Sequence, residues 1–293
     1  MIELPESGGF LTAARSIAAL TRRLFTLRSR WRLERSNCNN NLNKESFMAL
    51  SSNSLIHFTK TQEALYGIIS DGFRVKYCKE TFDLYGRDDS VHVPMVSFCD
   101  IPFSQIKNHI GDYGTYGIGL SKSWAMRMRL NPVLYIQSNS ALANSYYKMM
   151  KILHKKEGEG VIAGDVRASG KEIIRYIKKY EGILERPGKE PRLYRFSDER
   201  EWRYVPEAAE SHEMLYTPSE FSKTTAEKAN GDLRDMRLSF DADDINYLVI
   251  RDDSEIKGLI AHLRDVLHDR STASQIERLF TRIITSEQIL GDF

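Results

Sequence analysis

The sequence predicts an α+β domain. Short apolar segments typical of strands occur at 55–59, 93–98, 133–137, 199–205, 237–240 and 247–250. Helical segments are interleaved with them, but the regular strand–helix alternation of a doubly wound sheet is missing. The chain has 293 residues, 41% of them hydrophobic, which is enough to bury a core.

Composition excludes several classes of protein. The mean hydropathy of −0.43 and the lack of a long uncharged apolar run exclude a membrane-spanning protein. Three widely spaced cysteines without a C-x-x-C pair argue against a disulfide scaffold and a zinc knuckle, and they fit a reducing cytoplasm. The net charge of +2 permits a nucleic-acid partner without requiring one.

Residues 1–50 are predicted to be a basic, flexible extension that precedes a folded domain at 51–293. Between Glu6 and Glu34 this segment has no acidic residue, while arginines recur. Three interpretations stay open: a basic arm that contacts nucleic acid or a partner, an Arg-rich targeting peptide, or an extension upstream of a native start at Met48.

The first strand carries His57 and Thr59 on one face, and a helix follows it at once. This pair can hydrogen-bond a ribose or a carboxamide. Alternatively, Thr59 caps the helix and His57 is a histidine at the edge of the core. Ser97, at the end of the strand predicted at 93–98, can orient a carboxylate or belong only to the following turn.

Tyr113 and Tyr116 lie in a segment with four glycines at 111–119, after a helix predicted at 102–110. Glycine lets a backbone approach a ligand closely, and a tyrosine in such a loop can stack on a planar ring. Alternatively, the tyrosines pack on the core and the glycines make turns. The glycines match neither G-x-G-x-x-G nor the P-loop pattern.

Residues 141–190 are predicted to be a helical insertion, rich in lysine and glutamate, with a solvated face. The histidines and acids of the chain match no metal-ligand spacing such as H-E-x-x-H. A G-x-S-x-G nucleophile is also absent. Both absences favour chemistry whose electrophile comes from the substrate or cofactor.

Glu199 and Glu201 are the strongest candidates for chemistry. A strand at 199–205 would place them two residues apart and therefore on one face. Reactions that pass through a cationic sugar use two carboxylates. One stabilises the positive charge, and the other transfers a proton or orients the attacking group. The alternative is a solvated edge strand whose acidic pair is neutralised by neighbours such as Arg200 and Arg203.

Taken in chain order, these residues resemble the motifs of the ADP-ribosyltransferase fold. That fold holds NAD with a first-strand His or Arg and a middle Ser or Tyr, and a late Glu drives transfer. The resemblance implies a split mixed or antiparallel sheet with flanking helices. Members with Glu-x-Glu usually carry Arg where this chain has His57.

The stretch from 54 to 293 also resembles the AbiGi family of abortive-infection proteins. That family belongs to bacterial phage-defence systems and is often labelled an antitoxin. The segments that carry the resemblance are Leu55-Ile-His-Phe-Thr59, Val93-Pro-Met-Val-Ser-Phe-Cys-Asp-Ile-Pro102, Tyr113-Gly-Thr-Tyr-Gly-Ile-Gly-Leu120 and Arg282-Ile-Ile-Thr-Ser-Glu-Gln-Ile289.

The transferase resemblance implies an NAD-dependent toxin in which Glu201 stabilises the cationic sugar and Glu199 orients or deprotonates the acceptor. The NAD-binding residues that it implies are His57, Thr59, Ser97, Tyr113 and Tyr116. The expected acceptor is a macromolecule, with nucleic acid favoured by the basic segments. A cognate neutralising protein is the expected partner.

Two other functions are consistent with the sequence. The AbiGi resemblance implies a non-catalytic antitoxin, which would bind its partner through the helical region at 141–183. A third hypothesis is a nucleic-acid-binding module in which the tyrosines stack on bases without chemistry.

Overall fold

The chain folds around an eight-stranded mixed sheet. The computed structural model describes residues 52–83, 88–157, 164–186, 188–209, 211–223 and 226–292. The predicted extension at 1–50 lies outside these residues.

The strands of the described residues, in chain order, are β1 (Ser54–Thr59), β2 (Phe73–Arg74), β3 (Lys76–Asp83), β4 (Asp88–Cys99), β5 (Tyr116–Ser121), β6 (Asn131–Pro132), β7 (Leu134–Ile136), β8 (Ile177–Lys179), β9 (Gly182–Arg186), β10 (Lys189–Tyr194), β11 (Glu201–Tyr204), β12 (Arg237–Leu238), β13 (Ile245–Ile250) and β14 (Ile283–Thr285). The α-helices are α1 (Gln62–Asp71), α2 (Phe103–Tyr113), α3 (Lys122–Arg127), α4 (Ala141–Glu157), α5 (Gly164–Ile174), α6 (Pro218–Lys223), α7 (Ala226–Asp232), α8 (Ile256–Leu267), α9 (Ala273–Phe280) and α10 (Ser286–Asp292).

The main sheet has the strand order β14-β13-β5-β1-β4-β11-β6, and β3 pairs with β4. Its pairings are antiparallel except for the parallel pair β13 and β14. The sheet is therefore mixed and mainly antiparallel, and the predicted α+β class is confirmed.

The two central strands β1 and β4 share a single residue pair, Ile56 with Cys99. On its other edge β1 pairs with β5 along its whole length, from Ser54 to Thr59. Beyond Ile56, β1 and β4 therefore separate. This opening positions the site described below.

Helices cover both faces of the sheet and divide the core into three clusters. The largest packs α1, α3, α8 and α9 on the sheet, with Trp124 fully buried at its centre. A second cluster joins α4 and α5 to β3 and β4 through Tyr146, Ile174 and Val93. A third joins α2 and α10 to β1 and β13 through Ile106, Ile289 and Ile56. None of the helices in the described ranges is long and apolar enough to cross a membrane.

Helices α4 and α5 bear out the helical prediction at 141–157 and 164–174, but β8 begins at Ile177 and the hairpin of β9 and β10 follows. The helical part is thus shorter than the predicted 141–190. The reason is tertiary, because β8 pairs in parallel with β7 and this pairing overrides the helical pattern around 178.

Candidate functional site in the cavity between the central strands

The separation of β1 from β4 opens a cavity of about 300 Å³. Its walls come from β1, β3, β4, β8 and β9, from the C-terminal end of α2, and from β11 with the turn before it. The lining residues are Ile56, His57, Phe58, Lys79, Glu80, Thr81, Ser97, Phe98, Cys99, Tyr113, Lys178, Lys179, Leu184, Phe196, Glu199 and Glu201.

Both candidate carboxylates reach this cavity, but not by the predicted geometry. Glu199 ends a 3₁₀ turn, Arg200 adopts left-handed backbone angles (φ 45°, ψ 52°), and the strand begins only at Glu201. The prediction of one strand at 199–205 is therefore wrong for its first two residues. The turn, rather than strand alternation, brings the two side chains together, and each is only 3% exposed.

Lys178 joins the two carboxylates. Its Nζ lies 2.9 Å from Oε2 of Glu199 and also donates to Oε2 of Glu201. Although burial opposes its charge, the neighbouring carboxylates raise the pKa of Lys178 well above its usual value. The ammonium group is therefore charged, and it relieves the repulsion that would otherwise separate two buried carboxylates.

Arg203 holds the other side of Glu201. Its Nε donates to Oε1 of Glu201 at 2.6 Å, its Nη2 lies 2.9 Å from Oε2 of Glu80, and its Nη1 donates to the carbonyl of Arg175 at 2.9 Å. Burial opposes ionisation of Glu201, but Arg203 and Lys178 outweigh it and lower the pKa of Glu201 to about 2. Burial raises the pKa of Glu80, although the same two cations, Arg203 and Lys178, act to lower it.

The cluster thus contains three carboxylates and two cations, all in or beside the cavity. Two further lysines, Lys79 and Lys179, also line the cavity, so its basic side chains outnumber its carboxylates and no negative charge is in excess. Among the described residues, no group of three or more side chains has the arrangement of a metal site.

The two tyrosines lie in different places. Tyr113 ends α2 and donates its O–H to Oε1 of Glu199, at the cavity. Tyr116 begins β5, is 5% exposed within the main core, and donates to Oε1 of Glu255 at 2.7 Å. The prediction of a glycine-rich loop at 111–119 is wrong. Helix α2 ends at Tyr113 and β5 begins at Tyr116, so only Gly114 and Thr115 lie between them. Tyr116 does not line the cavity.

His57 and Ser97 line the cavity, and Thr59 does not. His57 Nδ1 donates to the carbonyl of Ser97 at 2.8 Å, and burial lowers the pKa of this imidazole. A neutral His57 therefore bridges the gap where the β1–β4 ladder stops. The Ser97 hydroxyl contacts Sδ of Met95 at 3.4 Å rather than a carboxylate, so the orienting role predicted for it has no contact here.

Cys99 also lines the cavity. Burial raises its pKa, and Glu199 and Glu201 raise it further. The thiol is therefore neutral, and a neutral thiol is a weak nucleophile.

Of the candidate residues predicted from the sequence, five line the cavity: His57, Ser97, Tyr113, Glu199 and Glu201. The sequence patterns did not indicate Lys178 and Glu80. The suggestion that arginines neutralise the acidic pair is confirmed for Arg203, which lies two residues after Glu201 on one strand face. No local pattern could indicate Lys178, because it comes from a strand that reaches the cavity only through tertiary pairing.

Comparison with known proteins identifies the family. Residues 71–251 match the family model described as "Putative abortive phage resistance protein AbiGi, antitoxin". A relative named abortive phage resistance protein AbiGi, from Lactococcus lactis subsp. cremoris, is 27% identical over 228 residues, which cover 69% of this chain and 89% of the relative. No solved structure matches the chain. Since the family model covers more than half of the sequence, the chain belongs to the AbiGi family of abortive phage resistance proteins.

Proposed function

We propose that this protein is the antitoxin of a two-protein abortive phage resistance system and that it neutralises its partner by binding. The observation that carries the proposal is the match to the AbiGi model over residues 71–251, since that family is described as an antitoxin. The matched residues include β4, the cavity, α4 and α5.

The charge cluster agrees with a binding protein. In this structure Glu201 is engaged by Lys178 and Arg203, and Glu199 by Lys178 and Tyr113. Such a network can serve to hold β8, β11 and the end of α2 in one arrangement without performing chemistry.

Growth of the natural host tests the antitoxin function. Depleting the protein in uninfected cells should stop growth, because the toxin would be released, and an inducible copy should restore it. Unimpaired growth after complete depletion would contradict the proposal.

The cavity supports a second candidate function, ADP-ribosyl transfer from NAD. The observation that favours it is the convergence of Glu199, Glu201, His57 and Tyr113 on one cavity. A volume of about 300 Å³ lies at the small end of ligand pockets, so it fits one part of a dinucleotide rather than the whole.

In this second function, NAD would supply the ADP-ribose group, and His57 and Tyr113 are the cavity residues that would hold it. The bond between C1′ of the ribose and nicotinamide would break, nicotinamide would leave, and the negative charge of Glu201 would favour the positive charge on that sugar. The acceptor would then bond to C1′, with Glu199 placed to orient it and to take up the proton it loses. Thr59 and Tyr116 drop out of the proposed site because neither lines the cavity. We propose nucleic acid as the acceptor, in line with the basic segments of the chain.

Transfer of label from adenine-labelled NAD to RNA, DNA and protein tests this candidate. Replacing Glu201 by Gln should lower transfer about 10²–10³-fold, as removal of one preorganised electrostatic group does elsewhere. Because that change also disturbs the charge cluster, Glu199→Gln should be measured beside it with thermal unfolding of both. Transfer that persists in both folded variants would overturn the assignment.

A further inference from the structure

Helix α4 exposes an apolar stripe. Leu142, Met149 and Ile152 are 49%, 36% and 54% exposed, although they belong to residue types that proteins usually bury. With the exposed Ser145, they follow one another at spacings of three, four and three residues. Residues at these spacings lie on one side of a helix.

The opposite side of α4 is fixed in the fold. Ala143 and Tyr146 are buried in the second core cluster, and the Tyr146 hydroxyl donates to the carbonyl of Gly170 on α5 at 2.9 Å. The stripe therefore stands on an anchored helix and faces away from the core that holds it.

The exposed charged side chains of α4 beside the stripe have one sign. Lys148 and Lys151 are exposed and lie on the same flank of the helix. From Tyr113 to Lys156 the sequence contains no acidic residue. A partner surface that covers the stripe therefore meets positive charge along its edge, and carboxylates there would be attracted.

We propose that this face of α4 docks an amphipathic helix of the partner protein, with apolar residues flanked by Asp or Glu. Alternating spacings of three and four residues are the geometry that lets two helices interdigitate along a seam. This inference rests on the antitoxin function proposed above, which supplies the need for a protein partner.

Other occupants fit the face less well. In a second copy packed antiparallel on this face, Lys148 and Lys151 would meet lysines of the same sign, which repel. A membrane-surface helix typically presents Trp, Phe or Leu to the lipid, whereas this stripe has a single leucine and a serine at its centre.

Two matched substitutions test the proposal in the depleted host. Leu142→Asp places a charge within the apolar stripe. Leu290→Asp is the control, because it places the same charge on α10 at a leucine of similar exposure, 48% against 49% for Leu142. We expect Leu142→Asp to fail to restore growth and Leu290→Asp to restore it. For a central contact, the loss of affinity should be about 30-fold or more.

Unfolding midpoints of both purified variants show whether each is folded. Lys148→Glu provides a second variant that keeps the apolar stripe, and it should restore growth only partially because it repels the acidic flank of the partner. Restoration by folded Leu142→Asp and by Lys148→Glu to the wild-type level would overturn the docking site.

Four further outcomes separate the explanations. If depletion does not stop growth, the antitoxin function itself fails. If depletion stops growth and all variants restore it, only the α4 surface is wrong. If the purified protein binds phosphatidylglycerol vesicles and Leu142→Asp abolishes that binding, the occupant of the face is a membrane. If the protein forms a dimer and Leu142→Asp abolishes the dimer, the occupant is a second copy. Either result overturns the partner-helix proposal.

Discussion

Arg203 and Glu201 lie two residues apart on β11 and form a buried ion pair, with 2.6 Å between Nε and Oε1. Arg203 is 0% exposed and Glu201 is 3% exposed. The same guanidinium reaches Glu80 on β3 and the backbone of Arg175. One side chain thus links three segments around the cavity.

Replacing Arg203 by Met should destabilise the protein by about 3–5 kcal/mol, because it removes the cation that pairs with Glu80 and leaves Glu201 with Lys178 alone. Urea unfolding measures the loss. Arg129→Met is the control, since the Arg129–Glu207 pair is more than 80% exposed on both sides and should contribute little. Equal effects of the two changes would show that the buried network does not stabilise the fold.

Acid should weaken the fold through Glu201. A carboxyl whose pKa is lowered on folding stabilises the protein above its unfolded pKa of about 4.5, and this contribution is lost as the pH falls towards the folded pKa of about 2. The difference in free energy of unfolding between the wild type and Glu201→Gln should therefore narrow from pH 5 down to pH 2. A difference that stays constant over this range would be inconsistent with the lowered pKa.

Gly114 should not tolerate alanine. Its φ is +127°, and an added Cβ would lie 2.1 Å from the carbonyl oxygen of Thr59. We expect Gly114→Ala to cost about 1–3 kcal/mol and to displace Tyr113 from Glu199. Gly111→Ala lies in α2 with open space around the new methyl group, so it should instead stabilise by about 0.5–1 kcal/mol. Thermal unfolding of both variants tests this, since the midpoint should fall for Gly114→Ala and rise for Gly111→Ala.

Tyr113→Phe should lower the free energy of unfolding by about 1.5–3 kcal/mol, because the lost hydrogen bond goes to a charged carboxylate. Tyr146→Phe removes a buried hydroxyl that donates to a neutral carbonyl, so its cost should be nearer 0.5–1.5 kcal/mol. Chemical denaturation measures the free energy of unfolding of both variants. A smaller loss for Tyr113→Phe than for Tyr146→Phe would mean that the contact between Tyr113 and Glu199 is weak.

Local sequence patterns predicted the elements better than they predicted the site. The strand predicted at 55–59 corresponds to β1. Local spacing is also plain in α8, where leucines at 259, 263 and 267 are buried at helical spacing. The glycines at 111–119 led to a wrong prediction of a loop. Gly111 lies inside a helix, and Gly117 and Gly119 pack within β5.

The site depends on contacts between distant segments, and a single sequence does not show these. Lys178 and Glu199 are 21 residues apart and meet through the turn before β11. Glu80 reaches Arg203 across more than a hundred residues. Glu199 and Glu201 do lie together as predicted, but a turn with a left-handed Arg200 brings them together, and the predicted strand begins only at Glu201.

Growth of the natural host after depletion of this protein tests the central claim most directly. The measurement is the growth rate of an uninfected culture before depletion, after depletion and after re-expression. The antitoxin account predicts arrest on depletion and recovery when the wild-type protein returns. A culture that grows at the same rate throughout, with the protein shown to be absent, would contradict it.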